Sequence, residues 1–113
     1  MTTKQTKEKK VKESDVQRMI CDYLALRSYF FWRSNNISVY DPTRQTFRAM
    51  PKYSMRGVPD IIVIKEGKFI GLEVKAKSGT LSEGQERFKE LCMKHNAEYH
   101  TVKNIEDVQA IGL

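Results

Sequence analysis

Three ionisable side chains, Asp60, Glu73 and Lys75, stand at a spacing that can support metal-assisted hydrolysis. Glu73 and Lys75 lie two residues apart at the end of an apolar segment with a strand pattern, so their side chains share one face. Asp60 opens the preceding apolar segment, and Glu66-Gly67 between the two segments predicts a tight turn. In an antiparallel hairpin the start of one strand lies beside the end of the next. We therefore expect Asp60 to lie close to Glu73 and Lys75.

Two converging carboxylates repel each other, and one of them takes up a proton unless a cation joins them. Hard oxygen ligands favour Mg²⁺ or Mn²⁺, and such an ion can polarise a phosphoryl oxygen and activate a water. Lys75 can orient that water or offset charge in the transition state. The alternative is an exposed Glu73–Lys75 ion pair, with Asp60 capping a turn after Pro59. The E-x-K triplet alone favours that alternative, whereas its combination with Pro-Asp at hairpin distance favours phosphodiester hydrolysis.

The elements that must position these residues follow from hydrophobic periodicity and turn signals. The expected helices cover about 13–26, a segment opened by Ser82, and 105–111; the expected strands cover 29–32, 60–64, 69–75 and 98–102. The aromatic run 29–32 is predicted to be a buried strand, with Trp32 in the core. Residues 37–40 and 46–48 can pair as a hairpin around a turn at Asp41-Pro42. The order predicts a mixed α/β domain, a sheet flanked by helices.

Length and charge narrow the class of function. The 113 residues suffice for one domain, which excludes two-lobed enzyme plans. The net charge of +6 favours a polyanionic partner such as nucleic acid, although a basic surface kept for solubility is the alternative. Residues 1–56 carry 12 basic and 5 acidic side chains, while residues 57–113 carry 8 and 9. We therefore expect the nucleic-acid footprint mainly in the first half.

The two ends and the cysteines add further expectations. Residues 1–12 are predicted to be a flexible Lys-rich tail, and 13–113 a single domain. The sequence has no apolar run long enough for a membrane span and no secretory signal. Cys21 and Cys92 have no partner at metal-ligand spacing, so two free thiols in a reducing cytoplasm are expected.

Pro59-Asp60 followed by Glu73-Val74-Lys75 resembles the PD-(D/E)XK nuclease signature. The wider pattern resembles the virus-type replication–repair nuclease (VRR-Nuc) domain in its stand-alone, phage-like form. It comprises Arg56-Gly57-Val58-Pro59-Asp60-Ile61-Ile62, Gly71-Leu72-Glu73-Val74-Lys75, Gly79-Thr80-Leu81-Ser82 and Gln85. Arg56 stands where that family usually has Lys, which keeps the charge. The resemblance implies a restriction-endonuclease-like core and Mg²⁺- or Mn²⁺-dependent cleavage of DNA. It also implies a homodimer that acts on branched DNA such as Holliday junctions, in the cytoplasm of a phage-infected or bacterial cell.

The resemblance also assigns residues to roles. It implies Asp60, Glu73, Lys75 and Gln85 as catalytic residues, and Glu13, Asp60, Glu73 and the main-chain carbonyl of Val74 as metal ligands. Glu13 has an alternative role in favouring a helix N-terminus, and Gln85 in a capping box with Ser82. Candidate DNA contacts, which can equally be solvated charges, are Arg33, Asn35, Arg44, Arg48, Lys52, Arg56 and Lys77.

Two other functions remain open at this point. A sequence-specific restriction-type nuclease normally needs a recognition element in a DNA groove, for which 113 residues leave little room. A non-catalytic nucleic-acid-binding module would use the same acids only in surface ion pairs. For the protein itself we expect no membrane partner and no small-molecule cofactor.

Overall fold

The computed structural model describes residues 12–34, the backbone of 40–41 and 46–47, and residues 51–113. The Lys-rich tail therefore lies outside the described residues except for Lys12, and so do Asn35, Arg44 and Arg48. The described chain forms a mixed α/β fold with three helices and six strands, which confirms the predicted class. None of the described helices combines the length and the apolarity that a membrane crossing requires.

Helix α1 spans Glu13–Leu26, as the periodicity predicted. Its buried residues are Val16, Ile20 and Leu24, which recur every four residues and so form one stripe. Glu13 and Asp15 occupy the first turn, where a negative charge is favourable to the helix dipole.

The main sheet has four strands. They are β1 Phe30–Arg33, β4 Ile61–Lys65, β5 Lys68–Val74 and β6 Glu98–Val102, in the order β1-β4-β5-β6. Strands β1 and β5 are antiparallel to β4, and β6 is parallel to β5. Separately, β2 Tyr40–Asp41 pairs antiparallel with β3 Thr46–Phe47. Asp41 thus lies in a strand and not in the expected turn, and the other residues of the expected hairpin lie outside the described residues. The turn at Glu66-Gly67 uses positive φ at both residues and gives β4 and β5 their register.

Helices cover the two faces of the sheet unequally. Helix α1 lies over β1 and β5, and α3, Ile105–Ala110, adjoins both α1 and β6. Together they bury the core residues Ile61, Val63, Ile70, Leu72 and Val74 on one face. Helix α2, Glu83–Lys94, lies over β6 on the other face. Leu113 is held against α1 and the start of β1, because its main-chain oxygen accepts from the hydroxyls of Tyr23 on α1 and of Tyr29, directly before β1.

The prediction of a buried aromatic strand with Trp32 in the core is wrong. β1 is an edge strand, and Phe31 is its side chain that packs against the core. Phe30 and Trp32 point to the opposite face and are 67% and 43% exposed. The aromatic run correctly indicated a strand, but side-chain alternation places half of it on the face that α2 covers only at the opposite edge of the sheet, over β6.

Candidate active site

The antiparallel register brings the predicted acids together. Ile61 is paired with Leu72, so Asp60 lies opposite Glu73 at one end of the sheet. The Asp60 Oδ2 accepts a hydrogen bond from the Val74 amide at 2.8 Å. Lys75 Nζ lies 3.9 Å from Glu73 Oε2, so the two side chains share a face as expected. The alternative of an exposed Glu73–Lys75 pair does not hold, because Glu73 is only 3% exposed.

The buried Glu73 carboxylate is held by donors from two further elements. Gln85 Nε2, in the first turn of α2, donates to Glu73 Oε2 at 2.9 Å. The hydroxyl of Tyr99, on the adjacent strand β6, donates to Glu73 Oε1 at 3.4 Å. Tyr99 is itself buried, and its ring contacts that of Phe88 on α2 with centroids 6.1 Å apart. Each oxygen of the carboxylate therefore has a partner.

Tyr99 was not identified from the sequence. The available signal was a polar-tipped aromatic residue in a short strand, and buried tyrosine hydroxyls usually have a partner. Its placement depends on the parallel register that pairs Gly71 with Tyr99, which no local pattern reveals.

Burial and the neighbouring Asp60 carboxyl raise the pKa of Glu73 to about 8, against the lowering influence of Lys75 and Tyr99. Burial and the Glu73 charge also raise the pKa of Tyr99, which keeps its hydroxyl a proton donor. The Asp60–Glu73 pair thus behaves as converging carboxylates do, with one of them protonated near neutral pH when no metal ion is bound. Replacement of that proton by a divalent cation is the chemistry that such a pair favours.

Gln85 forms the expected capping box and also contacts Glu73. Ser82 is the N-cap of α2, its hydroxyl accepts from the Gln85 amide, and Gln85 Oε1 accepts from the Ser82 amide at 2.8 Å. The side-chain nitrogen of Gln85 remains available and reaches Glu73. The capping box therefore fixes the orientation of a residue that contacts the candidate site.

Glu13 lies at the same end of the sheet but contacts main chain. Its Oε2 accepts from the Ala76 amide, directly after Lys75, at 3.2 Å. Within the described residues, no three side chains of His, Cys, Asp or Glu are grouped closely enough to hold a metal. Asp60 and Glu73 nevertheless suit Mg²⁺ or Mn²⁺ by their donor chemistry, since both supply hard oxygens and their like charges disfavour the cation-free state. Glu13, which contacts the Ala76 amide, and the carbonyl of Val74, the residue after Glu73, remain candidate ligands.

The candidate DNA contacts are dispersed. Arg33 donates to Gln17 Oε1 on α1 from both Nε and Nη2, at 3.0 and 2.7 Å. Lys52 lies over the ring of Tyr53, and Lys77 is exposed beyond the end of β5. The interval of four does not place Lys52 and Arg56 on one face of a regular element, because residues 51–60 form turns.

A cavity of about 430 Å³ lies between residues 54–56, in the segment before β4, and helix α2. Arg56 and Arg87 line it together with Phe88 and Leu91. Both arginines are exposed, and the carboxylate-bearing Glu83 lines the same cavity.

Comparison with known proteins leaves the site to be judged on its own geometry. No family model, curated protein or solved structure matches this chain.

Proposed function

We propose that this protein is a divalent-metal-dependent DNA endonuclease that hydrolyses phosphodiester bonds, with selectivity for branched DNA. The observation that carries the proposal is the convergence of Asp60, Glu73, Lys75 and Gln85 at one end of β4 and β5. A surface ion pair requires neither burial of Glu73 nor a second carboxylate beside it. Buried acids with strongly shifted pKa values are more frequent at functional sites than elsewhere.

Each residue has a role that its position permits. Asp60 and Glu73 would hold Mg²⁺ or Mn²⁺, assisted by Glu13 and the Val74 carbonyl. The bound ion supplies Lewis-acid activation of the scissile phosphate and of a water. Lys75, whose ammonium lies 3.9 Å from Glu73 Oε2, orients the attacking water and offsets negative charge at phosphorus. Gln85 fixes Glu73 through the 2.9 Å hydrogen bond from Nε2.

The proposed selectivity for branched DNA is argued from the small number of structural elements in the chain. The described elements are all used in building the sheet, its helices and the small hairpin, and none projects as a helix able to enter a groove. Recognition by backbone and shape therefore suits the chain better than base-edge readout. A homodimer would present two such centres to a nearly two-fold symmetric junction, which is the arrangement that symmetric incision requires.

Cleavage of a DNA panel tests the proposal. Four-way junction, flap, nicked duplex and linear duplex are incubated with the protein in Mg²⁺, Mn²⁺ or EDTA. We expect metal-dependent cleavage, strongest on a branched member, and loss of cleavage in Asp60→Ala and Glu73→Ala. Glu90→Ala is the matched control, since Glu90 is exposed on α2 away from the site.

Three results would each refute part of the proposal. If Asp60→Ala cleaves DNA at the wild-type rate, the reaction does not take place at this site. Tight DNA binding without cleavage of any member would favour the non-catalytic binding module, and equal cleavage of linear duplex at one sequence would favour a restriction-type nuclease.

A further inference from the structure

An exposed aromatic pair lies on the same sheet face as the candidate active site. Phe30 and Trp32 are two residues apart on β1, and their ring centroids are 5.6 Å apart with planes tilted by 45°. Trp32 is paired with Ile62, which is paired in turn with Gly71, two residues before Glu73. Because side chains alternate along a strand, Phe30, Trp32, Asp60 and Glu73 all point to one face.

The pair is close to the site on the scale of a nucleic acid. β1 and β5 are separated by β4 alone, which places them roughly 10 Å apart at ordinary strand spacing. Along the strands Trp32 lies level with Gly71 and Phe30 level with Phe69, two and four residues before Glu73, so their backbones lie roughly 12 and 16 Å from that of Glu73. A DNA strand with a phosphate at Glu73 therefore passes the two rings within a few nucleotides. Residues 1–56, which include β1, carry 12 basic against 5 acidic side chains, so this half of the sequence favours a polyanion.

The exposed area of the Phe30 and Trp32 rings is large enough to contact a small apolar ligand but too small for a stable protein interface. Aromatic side chains have roughly 150–250 Å² of surface each, so exposures of 67% and 43% leave roughly 200 Å² uncovered. A stable dimer interface buries about 800 Å² on each subunit. Two adjacent aromatic side chains have the dimensions on which unpaired bases stack in single-strand-binding proteins.

We propose that Phe30 and Trp32 form a stacking platform for unpaired nucleobases of the substrate. This inference rests on the proposed function, whose site supplies the neighbouring phosphate contacts. It adds a specificity: unpaired bases at a branch point, fork or single-stranded end reach the platform, whereas bases inside a continuous duplex have their faces covered by neighbours. Branched DNA is thus distinguished by its unstacked bases as well as by its backbone shape.

Trp32 is the single tryptophan of the chain, so its fluorescence reports the platform directly. Oligothymidylate and its duplex with oligodeoxyadenylate are titrated into the wild-type protein in EDTA, which separates binding from cleavage. We expect quenching by the single strand and much weaker quenching by the duplex. Phe30→Ala, which keeps the reporter, should shift the single-strand titration to higher concentration. Met93→Ala, a change at an exposed apolar residue on α2, should leave it unchanged.

Affinity is measured separately by anisotropy of labelled oligonucleotides. Trp32→Leu keeps an apolar side chain at a half-exposed position and should preserve the fold, as judged by circular dichroism. It should weaken binding of the single strand about tenfold and leave duplex binding unchanged, because base stacking is removed while phosphate contacts stay. The slope of log affinity against log salt concentration should not change, since no counterion-releasing contact is lost.

Three outcomes would overturn the platform. These are no quenching by the single strand, equal loss of single-strand and duplex binding in Trp32→Leu, or a change from dimer to monomer in that variant with binding intact. The last outcome would assign the patch to a second copy of the chain. Metal-dependent junction cleavage without quenching would refute the platform alone, whereas quenching without cleavage in any metal would refute the nuclease alone.

Discussion

Glu73→Gln should stabilise the metal-free protein above pH 8 and leave its stability almost unchanged near pH 4.5. In the folded protein the pKa of Glu73 is raised to about 8, from 4.5 for a freely solvated glutamate, because of burial and the Asp60 carboxyl. Between these values the folded state holds a proton that the unfolded state has released. The free energy of unfolding therefore falls as the pH rises through this window, whereas the glutamine side chain of the variant does not titrate.

The size of this change in stability follows from the difference between the pKa of Glu73 in the folded state and in the unfolded state. One proton gives a limiting slope of about 1.4 kcal/mol per pH unit. Across the window the wild-type protein should lose on the order of 4 kcal/mol relative to Glu73→Gln. Small domains have about 5–15 kcal/mol of stability in total, so a loss of this size is easily measured. The side-chain amide of Glu73→Gln resembles the protonated acid. Its oxygen still accepts a hydrogen bond from Tyr99 or Gln85, and its nitrogen can donate to Asp60.

Urea unfolding followed by far-ultraviolet circular dichroism, in EDTA and at several pH values, provides the measurement. The midpoint and the slope m are fitted together, so that a changed midpoint at constant m reports stability. Glu90→Gln, at an exposed position on α2, controls for the loss of one negative charge. Wild-type stability that stays level or rises from pH 4.5 to 8, with no gain in Glu73→Gln, would refute the coupling of the two carboxyls.

Adding Mn²⁺ extends the same experiment to the candidate ligands. A ligand that binds only the folded state stabilises it, by about 2.7 kcal/mol at a concentration 100 times its Kd. Above pH 8 the wild-type midpoint should rise with Mn²⁺, and that of Glu73→Gln should not. An equal rise in both proteins would place metal binding elsewhere.

Three further changes test the surroundings of the pair. Tyr99→Phe removes the hydroxyl that donates to Glu73 Oε1, so the free energy of unfolding should fall by about 1–2 kcal/mol. Calorimetry should also show weaker Mn²⁺ binding; an unchanged Mn²⁺ affinity would mean that Tyr99 contributes to packing alone. Ser82→Ala removes the N-cap of α2 and should cost about 1 kcal/mol in urea unfolding, and a neutral result would contradict the observed capping box. Gly57→Ala forces a Cβ against the Gly84 main-chain oxygen at a φ of +79°, so thermal unfolding should show a loss of stability of about 1–3 kcal/mol or more. A variant as stable as the wild type would show that this loop can move away from α2.

Much of the fold was predictable because its signals are local. The stripe on α1, the turn at Glu66-Gly67 and the capping box at Ser82 each depend on residues within one or two turns of chain. The hairpin also placed Asp60 near Glu73, since register follows from the position of the turn. These features required no knowledge of how the elements pack.

The remaining features depend on packing and were missed for that reason. Periodicity indicates that Trp32 and Phe31 face opposite sides, but it does not tell which side a helix covers. The contact of Tyr99 with Glu73 requires the parallel pairing of β5 with β6 across the intervening helix α2. The sequence also did not indicate that Arg33 would donate to Gln17, a contact that forms because β1 ends beside α1.

The short motif around Asp60 is explained by the packing it makes possible. Gly57 lies so close to the first turn of α2 that any Cβ would collide with the Gly84 oxygen, which brings the loop against the helix that carries Gln85. Pro59 lies on Gly71, where a Cβ would collide with the proline ring, and this close approach sets Asp60 at the level of the Val74 amide. The glycines and the proline of the motif thus permit the close packing of loop, strand and helix on which the position of the acid pair and its amide partner depends.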